Sequence, residues 1–354
     1  LSLGDIGFNY EEATEKVGII DGVRYTMHYT FAPTGIIYNQ NYINETPSNG
    51  EFVTGTFPAT WQGLLDMCDS VNEKWNKIAL GQKVVPMSYG GSVGDIKGFF
   101  YGVWAQIDPV GFKNYWEQTT TSVAGESNKN LLVNDGVIKA VDSVAKLLNA
   151  KKNEQGNYYP SNAFADSTSH SNLIAEQKFL NGLSVFTLSA SWFETEMKEH
   201  IEDGGYDFYH FAPTPKVNVD NPTAVYVNSP AEFFMIAANG KNKNPQLAKA
   251  FLKYMATEER CQVFHSITGT PAALQYRVNT SSLSRFAKEV VEATEGATLA
   301  IAASDQIAWL TGAISVFKTI ATTEYTPTLA RTMVESMYRK QVESWNDYMK
   351  SFDE

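Results

Sequence analysis

Two kinds of hydrophobic periodicity alternate along this chain of 354 residues. Short segments rich in β-branched and aromatic residues, such as 23–31 and 35–39, are typical of strands. Between them lie longer segments whose apolar residues recur every three to four positions, which is typical of amphipathic helices. Strands that alternate with helices indicate an α/β fold. Because the chain is too long for one small core, we expect two lobes.

Residues that favour helix N-termini stand just before several of the helical segments. Thr60 precedes a predicted helix over 61–80, and Asn134 precedes another that starts at Asp135. Asn244 is followed by Pro245, the residue favoured at the first helical position. These positions predict where the helices begin.

Three further expectations come from the same pattern. The segment Ala32-Pro33-Thr34 is predicted as a turn between strands. From Phe286 onward the chain is predicted to be almost entirely helical. The helix that starts at Pro245 is predicted to bury one face, made of Leu247, Phe251, Tyr254 and Met255.

Charge and composition exclude some classes of protein. The chain has 28 Lys+Arg against 39 Asp+Glu and a net charge of −11, which would repel the phosphates of nucleic acid. No run of eighteen apolar residues is present, so we expect no membrane span. Residues 1–5 have no features of a signal peptide, so we expect any export signal to lie upstream or to have been removed. Cys68 and Cys261 lie in helical segments and are predicted to be buried free thiols.

Aromatic residues make up 13% of the chain, with 18 Tyr and 7 Trp. Their rings combine an apolar face with a polar atom, which suits sugars and other polar ligands. Trp192 follows small residues at a predicted strand-to-helix corner, and Trp309 lies among alanines. Tyr101 and Trp104 belong to a predicted aromatic helix. For each tryptophan, packing in the core is the ordinary alternative.

One segment has the pattern of a catalytic motif. Residues 90–94 satisfy G-x-S-x-G, so Ser92 is a candidate nucleophile, with Asp207 and His265 as its partners in a serine hydrolase. Pro86 lies in the strand that would precede the motif, where its missing N–H would break a central ladder. A glycine-rich turn explains the motif equally well, so the hydrolase is the second hypothesis.

Neither a metal site nor a cofactor is predicted. The five histidines have no i, i+4 pairing and no H-E-x-x-H spacing. The glycines at 90–94 are not followed by the Gly-Lys-Ser/Thr of a phosphate loop.

Several segments, in order along the chain, resemble those of the extracellular solute-binding proteins of bacterial sugar ABC importers, the group that includes maltose-binding protein. Residues 58–64, Pro-Ala-Thr-Trp-Gln-Gly-Leu, are similar to the P-x-T-W-x-E-L helix start of that family, although Gln62-Gly63 replaces the usual acidic pair. The other similar segments are 25–40, 179–192, 232–252 and the Thr-Gly-Thr-Pro loop at 268–271.

The resemblance implies a two-lobe periplasmic-binding-protein-like fold of type II, with a ligand cleft between the lobes. It implies an N-terminal lobe from 1–34 and 235–285, and a C-terminal lobe from 35–228 and 290–354. The crossings between lobes would fall near 31–35, 229–234 and 285–290. Family members carry a further block of residues before this point, so the N-terminal lobe is expected to be incomplete in this chain.

The resemblance also implies a set of ligand-binding residues. Trp192 and Trp309 would stack on a sugar. Trp104 and Tyr101, which lie in one predicted helix, would add further stacking. Tyr29 before the first crossing and Glu232 at the second crossing would complete the set.

The implied function is capture of a sugar or oligosaccharide by lobe closure and delivery to the membrane permease subunits of an ABC importer. Such a protein is not an enzyme, needs no cofactor or metal and binds no nucleic acid. It is expected to be a monomer, lipid-anchored on the extracellular face of the membrane or located in the periplasm. A non-sugar ligand such as a polyamine is an open alternative, because polyamine binders share the architecture.

Overall fold

The computed structural model describes residues 1–10, 14–15, 17–92, 95–118, 126–217, 220, 223–228, 233–237, 243–301 and 312–350. Its strands are β1 (Ile19–Ile20), β2 (Val23–Arg24), β3 (Thr26–His28), β4 (Ala32–Asn39), β5 (Ile78–Ala79), β6 (Gln82–Lys83), β7 (Val85–Ser88), β8 (Ala150–Lys152), β9 (Tyr158–Pro160), β10 (Ser184–Ala190), β11 (Tyr209–Ala212), β12 (Ala224–Asn228), β13 (Phe233–Met235) and β14 (Thr298–Ile301).

The helices of the described residues are α1 (Gln40–Glu45), α2 (Trp61–Glu73), α3 (Asp95–Ile107), α4 (Pro109–Gln118), α5 (Glu126–Leu132), α6 (Asp135–Leu148), α7 (Asn172–Leu180), α8 (Phe193–Glu196), α9 (Lys198–Gly204), α10 (Pro245–Met255), α11 (Glu258–Thr268), α12 (Arg285–Thr294), α13 (Gly312–Ala321) and α14 (Leu329–Lys350). The predicted N-caps are confirmed, since Thr60, Asn134 and Asn244 each accept a hydrogen bond from a backbone N–H in the first turn.

The main sheet has the strand order β14-β12-β4-β10-β7, with β11 also paired to β4. The β10–β7 and β12–β14 pairs are parallel, whereas β4 is antiparallel to β10, β11 and β12. β4 is therefore the central strand. Pro86 lies in β7 at the end of this order, where a missing N–H is tolerated.

The first residues of β4 correct one expectation from the sequence. Ala32-Pro33-Thr34, predicted as a turn, continues the strand, and Pro33 pairs with Val227 of β12. The Pro33 carbonyl accepts a hydrogen bond from the Ser191 N–H at 2.9 Å. Proline fits here because it stands near the start of the strand and lacks only the donor.

Gly35 permits the close approach of β4 and β11. A Cβ atom at Gly35 would lie 2.5 Å from the Ala212 carbonyl oxygen and 2.6 Å from Cζ of Phe211. Because the first of these is backbone, the strands would have to separate. We expect Gly35→Ala to cost about 1–3 kcal/mol of unfolding free energy, measured by urea denaturation. Gly4→Ala is the control, since its Cβ would meet only the Ser2 hydroxyl at 3.5 Å. Equal stability of the two variants would contradict the tight approach.

The buried apolar residues form a large and a smaller cluster, with two satellites. The large cluster includes Ile36, Trp104 and Val334, and its members lie within the ranges predicted for the C-terminal lobe. The smaller cluster includes Met27 and Leu252, mostly from the ranges predicted for the N-terminal lobe. Cys68 and Cys261 are buried free thiols, as predicted. The exact division into lobes stays a prediction.

The apolar face predicted for α10 is wrong in part. Leu247, Phe251 and Tyr254 are 65%, 51% and 51% exposed. The helix instead packs Leu252 against the smaller cluster, with Ala248 and Met255 beside it. Because the buried face is turned by one residue, the larger apolar side chains face outward.

The C-terminal region contains one strand where helix is predicted. Thr298–Ile301 forms β14, which pairs in parallel with β12, so sheet pairing overrides the helical pattern there. Residues 285–290, predicted as a crossing, form the first part of α12, in which Phe286 packs against Phe193 and Val290 belongs to the same apolar cluster. The predicted crossing at 229–234 lies mostly outside the described residues.

Candidate functional site

The parallel strands β7 and β10 end at the same edge of the main sheet, with Ser88 paired to Thr187. Beyond β7 comes the turn at Gly90–Ser92, and beyond β10 comes a corner, residues 191–196, that includes the short helix α8. In open α/β sheets, ligands bind outside the carboxyl ends of parallel strands. This edge is therefore the candidate site.

Side-chain hydrogen bonds hold the corner at several points. The Glu194 carboxylate accepts hydrogen bonds from the Tyr209 hydroxyl at 2.8 Å and from the Ser284 hydroxyl at 2.5 Å. The Asn172 amide donates to both carboxylate oxygens of Glu196, at 2.9 and 3.2 Å. A corner held in this way is a rigid support for the side chain that it presents.

Trp192 is the aromatic side chain that the corner presents. It is partly exposed, while Ser191 before it and Phe193 after it are buried. The N–H groups of Thr195 and Glu196 donate to the Trp192 carbonyl at 3.0 and 2.9 Å, which fixes its backbone. Trp192 thus combines a fixed position with partial exposure.

The corner also contacts the end of α11 and the loop that follows it. The Thr195 hydroxyl donates to the Thr268 carbonyl at 2.5 Å, and the Ser191 hydroxyl donates to that of Thr270 at 3.2 Å. The same loop bonds to the segment before β4, because the Phe31 N–H donates to the Pro271 carbonyl at 2.9 Å. The corner therefore lies where segments assigned to the two predicted lobes meet.

Tyr29 lies inside the smaller cluster and is 3% exposed. Its hydroxyl donates to the Met255 carbonyl at 3.0 Å, and its ring packs edge-on against Phe234 and Phe264. In this conformation the Tyr29 ring and hydroxyl both contact other parts of the protein and are not exposed to a ligand.

Tyr101 and Trp104 are buried in the large cluster, at 3% and 1% exposed. The Tyr101 ring packs edge-on against Trp116 and Tyr226, and the Trp104 ring against Phe112. In this conformation no face of either ring is open to a ligand, so both side chains act as core residues. Trp309 and Glu232 lie outside the described residues.

The geometry around Ser92 does not suit a nucleophile. The Ser92 hydroxyl donates at 2.5 Å to the backbone carbonyl of His170 rather than to an imidazole. His265 is buried in α11, where its Nδ1 is 2.7 Å from the Tyr276 hydroxyl. Burial lowers the pKa of His265 to about 4, so it is neutral at physiological pH. Ser92 therefore acts as a hydrogen-bonding residue of the turn.

Sequence reasoning missed one group at this edge, which contains Glu176, Asp95 and Glu196. Glu176 lies in α7 and is fully buried, and its carboxylate accepts a hydrogen bond from the Ser189 hydroxyl at 2.5 Å. A glutamate in the middle of a short helix of mixed polar and apolar residues gives no signal of burial, so only the fold could reveal it.

The described residues also bear on two other kinds of site. No cluster of three or more His, Cys, Asp or Glu in that part of the chain is arranged to hold a metal ion. Within the same residues, no helix has the length and apolar character needed to cross a membrane.

The sequence profile of the bacterial extracellular solute-binding proteins matches residues 5–285. The chain therefore belongs to this family, which confirms the predicted resemblance. It is a binding protein and not an enzyme, so the serine hydrolase hypothesis is set aside. No curated protein matches the chain by sequence.

Solved structures share the fold. A chitin oligosaccharide binding protein has a TM-score of 0.69 and 16% identity over 97% of this chain and 78% of that one. A sugar transporter from Bacillus licheniformis in complex with stachyose has a TM-score of 0.64 and 15% identity, covering 96% and 79%. The sugar-binding protein MalE from Xanthomonas citri has a TM-score of 0.64 and 14% identity, covering 98% and 77%. The predicted α/β binding-protein fold is thereby confirmed.

Proposed function

We propose that this chain is the substrate-binding component of an ABC importer, which captures a sugar or oligosaccharide beside Trp192 and delivers it to membrane permease subunits. The observation that carries the proposal is the partly exposed Trp192 on a rigid corner at the carboxyl ends of β7 and β10. The family and the sugar-binding proteins of the same fold support it.

A flat aromatic ring suits a sugar because one face of the pyranose exposes C–H groups, while its hydroxyls need a few convergent polar partners. Trp192 supplies the ring. We include Trp309 as a second stacking residue and Glu232 as a hydroxyl acceptor, on the strength of the resemblance alone. Tyr29, Tyr101 and Trp104 would take part only if the protein adopted a conformation that exposed them.

Ligand capture is proposed to proceed by lobe closure, since a ligand that touches both lobes stabilises the closed state. The first crossing at 31–35 and the loop at 268–271 are joined by the hydrogen bond from Phe31 to Pro271. Bending is proposed to occur at this junction, while the core of each lobe stays rigid. The protein is proposed to act as a monomer, lipid-anchored outside the cell or in the periplasm.

The ligand class is tested by thermal shift with a panel of neutral oligosaccharides and a panel of polyamines. A ligand at a hundred times its Kd stabilises the folded state by about 2.7 kcal/mol, so a binder raises the Tm. We expect at least one oligosaccharide to raise the Tm of the wild type and to have less effect on Trp192→Ala. If only polyamines raise the Tm, the ligand is a cation and the proposed sugar is wrong.

Closure is tested by small-angle scattering with and without the saturating ligand from that panel. We expect the radius of gyration to fall on binding, because the lobes rotate towards each other about the crossings. An unchanged radius alongside proven binding would contradict closure.

A further inference from the structure

A pair of carboxyl groups joins α7 to the corner that carries Trp192. Glu176 of α7 is 0% exposed, and its Oε1 accepts the hydrogen bond from Ser189. Its Oε2 is buried and has no hydrogen-bond partner among the residues that the structure describes. A buried acceptor left in this state is costly, and an ionised carboxylate in that position is costlier still.

The group that can satisfy this oxygen is Glu196 of α8: the Asn172 amide, one helical turn before Glu176, holds the Glu196 carboxylate against α7, and the charge of Glu196 acts on Glu176. Two carboxylates repel, but a carboxylic acid can donate its proton to a carboxylate. A proton on Oε2 of Glu176 therefore turns an unpartnered oxygen into a donor and gives Glu196 a second anchor, beside the amide of Asn172. If neither carboxyl group carries a proton, the two carboxylates repel each other and Oε2 of Glu176 accepts no hydrogen bond.

The charges around Glu176 all favour this protonated form. Burial, followed by the charges of Glu196 and of Asp95 at the start of α3, raises the pKa of Glu176 to about 9. The neutral Ser189 hydroxyl of β10 opposes the shift, because its hydrogen bond to the carboxylate lowers the pKa of Glu176, and β7 has no ionisable residue. On α9, which also packs against α7, Lys198 and Glu202 form an exposed ion pair with each other.

We propose that Glu176 is a positioning residue for the binding corner, which keeps a proton at neutral pH and donates it to Glu196, thereby holding α8 and Trp192 against α7. The link to Trp192 is short, because the Glu196 N–H donates to the Trp192 carbonyl at 2.9 Å. Only the effect on ligand affinity depends on the proposed function. The position of the corner and its pH dependence do not.

Whether the unfolding free energy rises or falls with pH depends on the pH at which Glu176 releases its proton in the folded and in the unfolded state. An unfolded glutamate loses it near its ordinary pKa of 4.5, whereas folded Glu176 keeps it until about pH 9. The unfolding free energy therefore falls as the pH rises from about 4.5 to about 9 and levels off above that. Burial, followed by the charge of Glu196, raises the pKa of Asp95 to about 7, so Asp95 contributes to the slope mainly below that pH.

The experiment compares the wild type, Glu176→Gln and the exposed control Glu199→Gln between pH 7.5 and 9.5, above the titration of Asp95. We expect the Tm of the wild type and of the control to fall by about 3 °C more than that of Glu176→Gln. The glutamine amide donates the same hydrogen bond but cannot ionise. Equal slopes in Glu176→Gln and the wild type would overturn the proposal.

Glu196→Gln provides a second test if Glu176→Gln folds poorly. Removing the neighbouring charge should lower the pKa of folded Glu176, so the fall in Tm should level off at a lower pH than in the wild type. Levelling off at the same pH would also overturn the proposal, because Glu176 would then not sense Glu196.

Two further measurements separate positioning from simple stability. The emission of Trp192, taken as the difference between each protein and its Trp192→Phe form, should change between pH 8 and 10 in the wild type but not in Glu176→Gln. The Kd for the oligosaccharide that binds the wild type should rise several-fold over the same range, again only in the wild type. Matching pH profiles in the two proteins count against positioning. If no oligosaccharide binds at pH 8, the proposed function fails, while the melting and emission data still decide the role of Glu176.

Discussion

Trp192→Ala is expected to weaken ligand binding by about 1–3 kcal/mol, or roughly 5- to 150-fold in Kd, by analogy with the loss of aromatic stacking on bases. The Tm should change little, because the ring is partly exposed and the corner is held by the hydrogen bonds of Glu194 and Glu196. Calorimetry with the ligand found in the panel gives the affinity, and differential scanning fluorimetry gives the Tm.

Trp192→Phe is the matched variant for this prediction. It keeps an aromatic face of smaller area, so we expect an affinity between those of the wild type and Trp192→Ala. A large loss of stability in Trp192→Ala, with the affinity per folded molecule unchanged, would show that the indole is a core residue and would remove the observation on which the proposed function depends.

Phe193→Ala is expected to have the opposite profile, with a loss of about 3–5 kcal/mol in the unfolding free energy. Phe193 is 0% exposed, and its ring centroid lies 5.5 Å from that of Tyr209, 5.8 Å from Phe286 and 5.9 Å from Phe179. Removing the ring leaves a cavity among three others that cannot all move in to fill it. Urea denaturation measures the loss.

Phe193→Leu is the control, since it retains most of the buried volume and should cost clearly less than alanine. At a temperature where both variants are folded, neither should change the ligand Kd as strongly as Trp192→Ala does. A Phe193→Ala protein of wild-type stability and greatly reduced affinity would reverse the roles of the two neighbours.

The parts of the fold that depend on local chemistry could be predicted from the sequence. The caps at Thr60 and Asn134 are examples, because a side chain that bonds to backbone N–H groups two or three residues later acts within one turn. A local pattern also predicted a strand over 182–190 with a corner after it, and the structure has β10 over Ser184–Ala190. The turn predicted at Ala32–Thr34 was wrong because the pairing of Pro33 with Val227 spans most of the chain.

The roles of the aromatic residues could not be predicted, because burial depends on what packs against a ring. Trp104 and Trp192 both follow small or aromatic neighbours, yet one is enclosed by α4 and the other stands at a corner. The burial of Glu176 could not be predicted either, since it depends on β10 and α8 meeting above α7. Trp309 and Glu232 remain predictions from the resemblance.

The central position of β4 has a consequence for the exchange of backbone amide hydrogens with solvent. β4 is paired along both of its edges, and most of its residues are buried. Its amides should therefore exchange only when the whole main sheet unfolds, whereas amides in the exposed turn at Gly81 can exchange through local opening. A motion that pivots just before β4 leaves the hydrogen bonds of this strand intact. Repeated cycles of ligand binding and release should therefore not increase the exchange of its amide hydrogens.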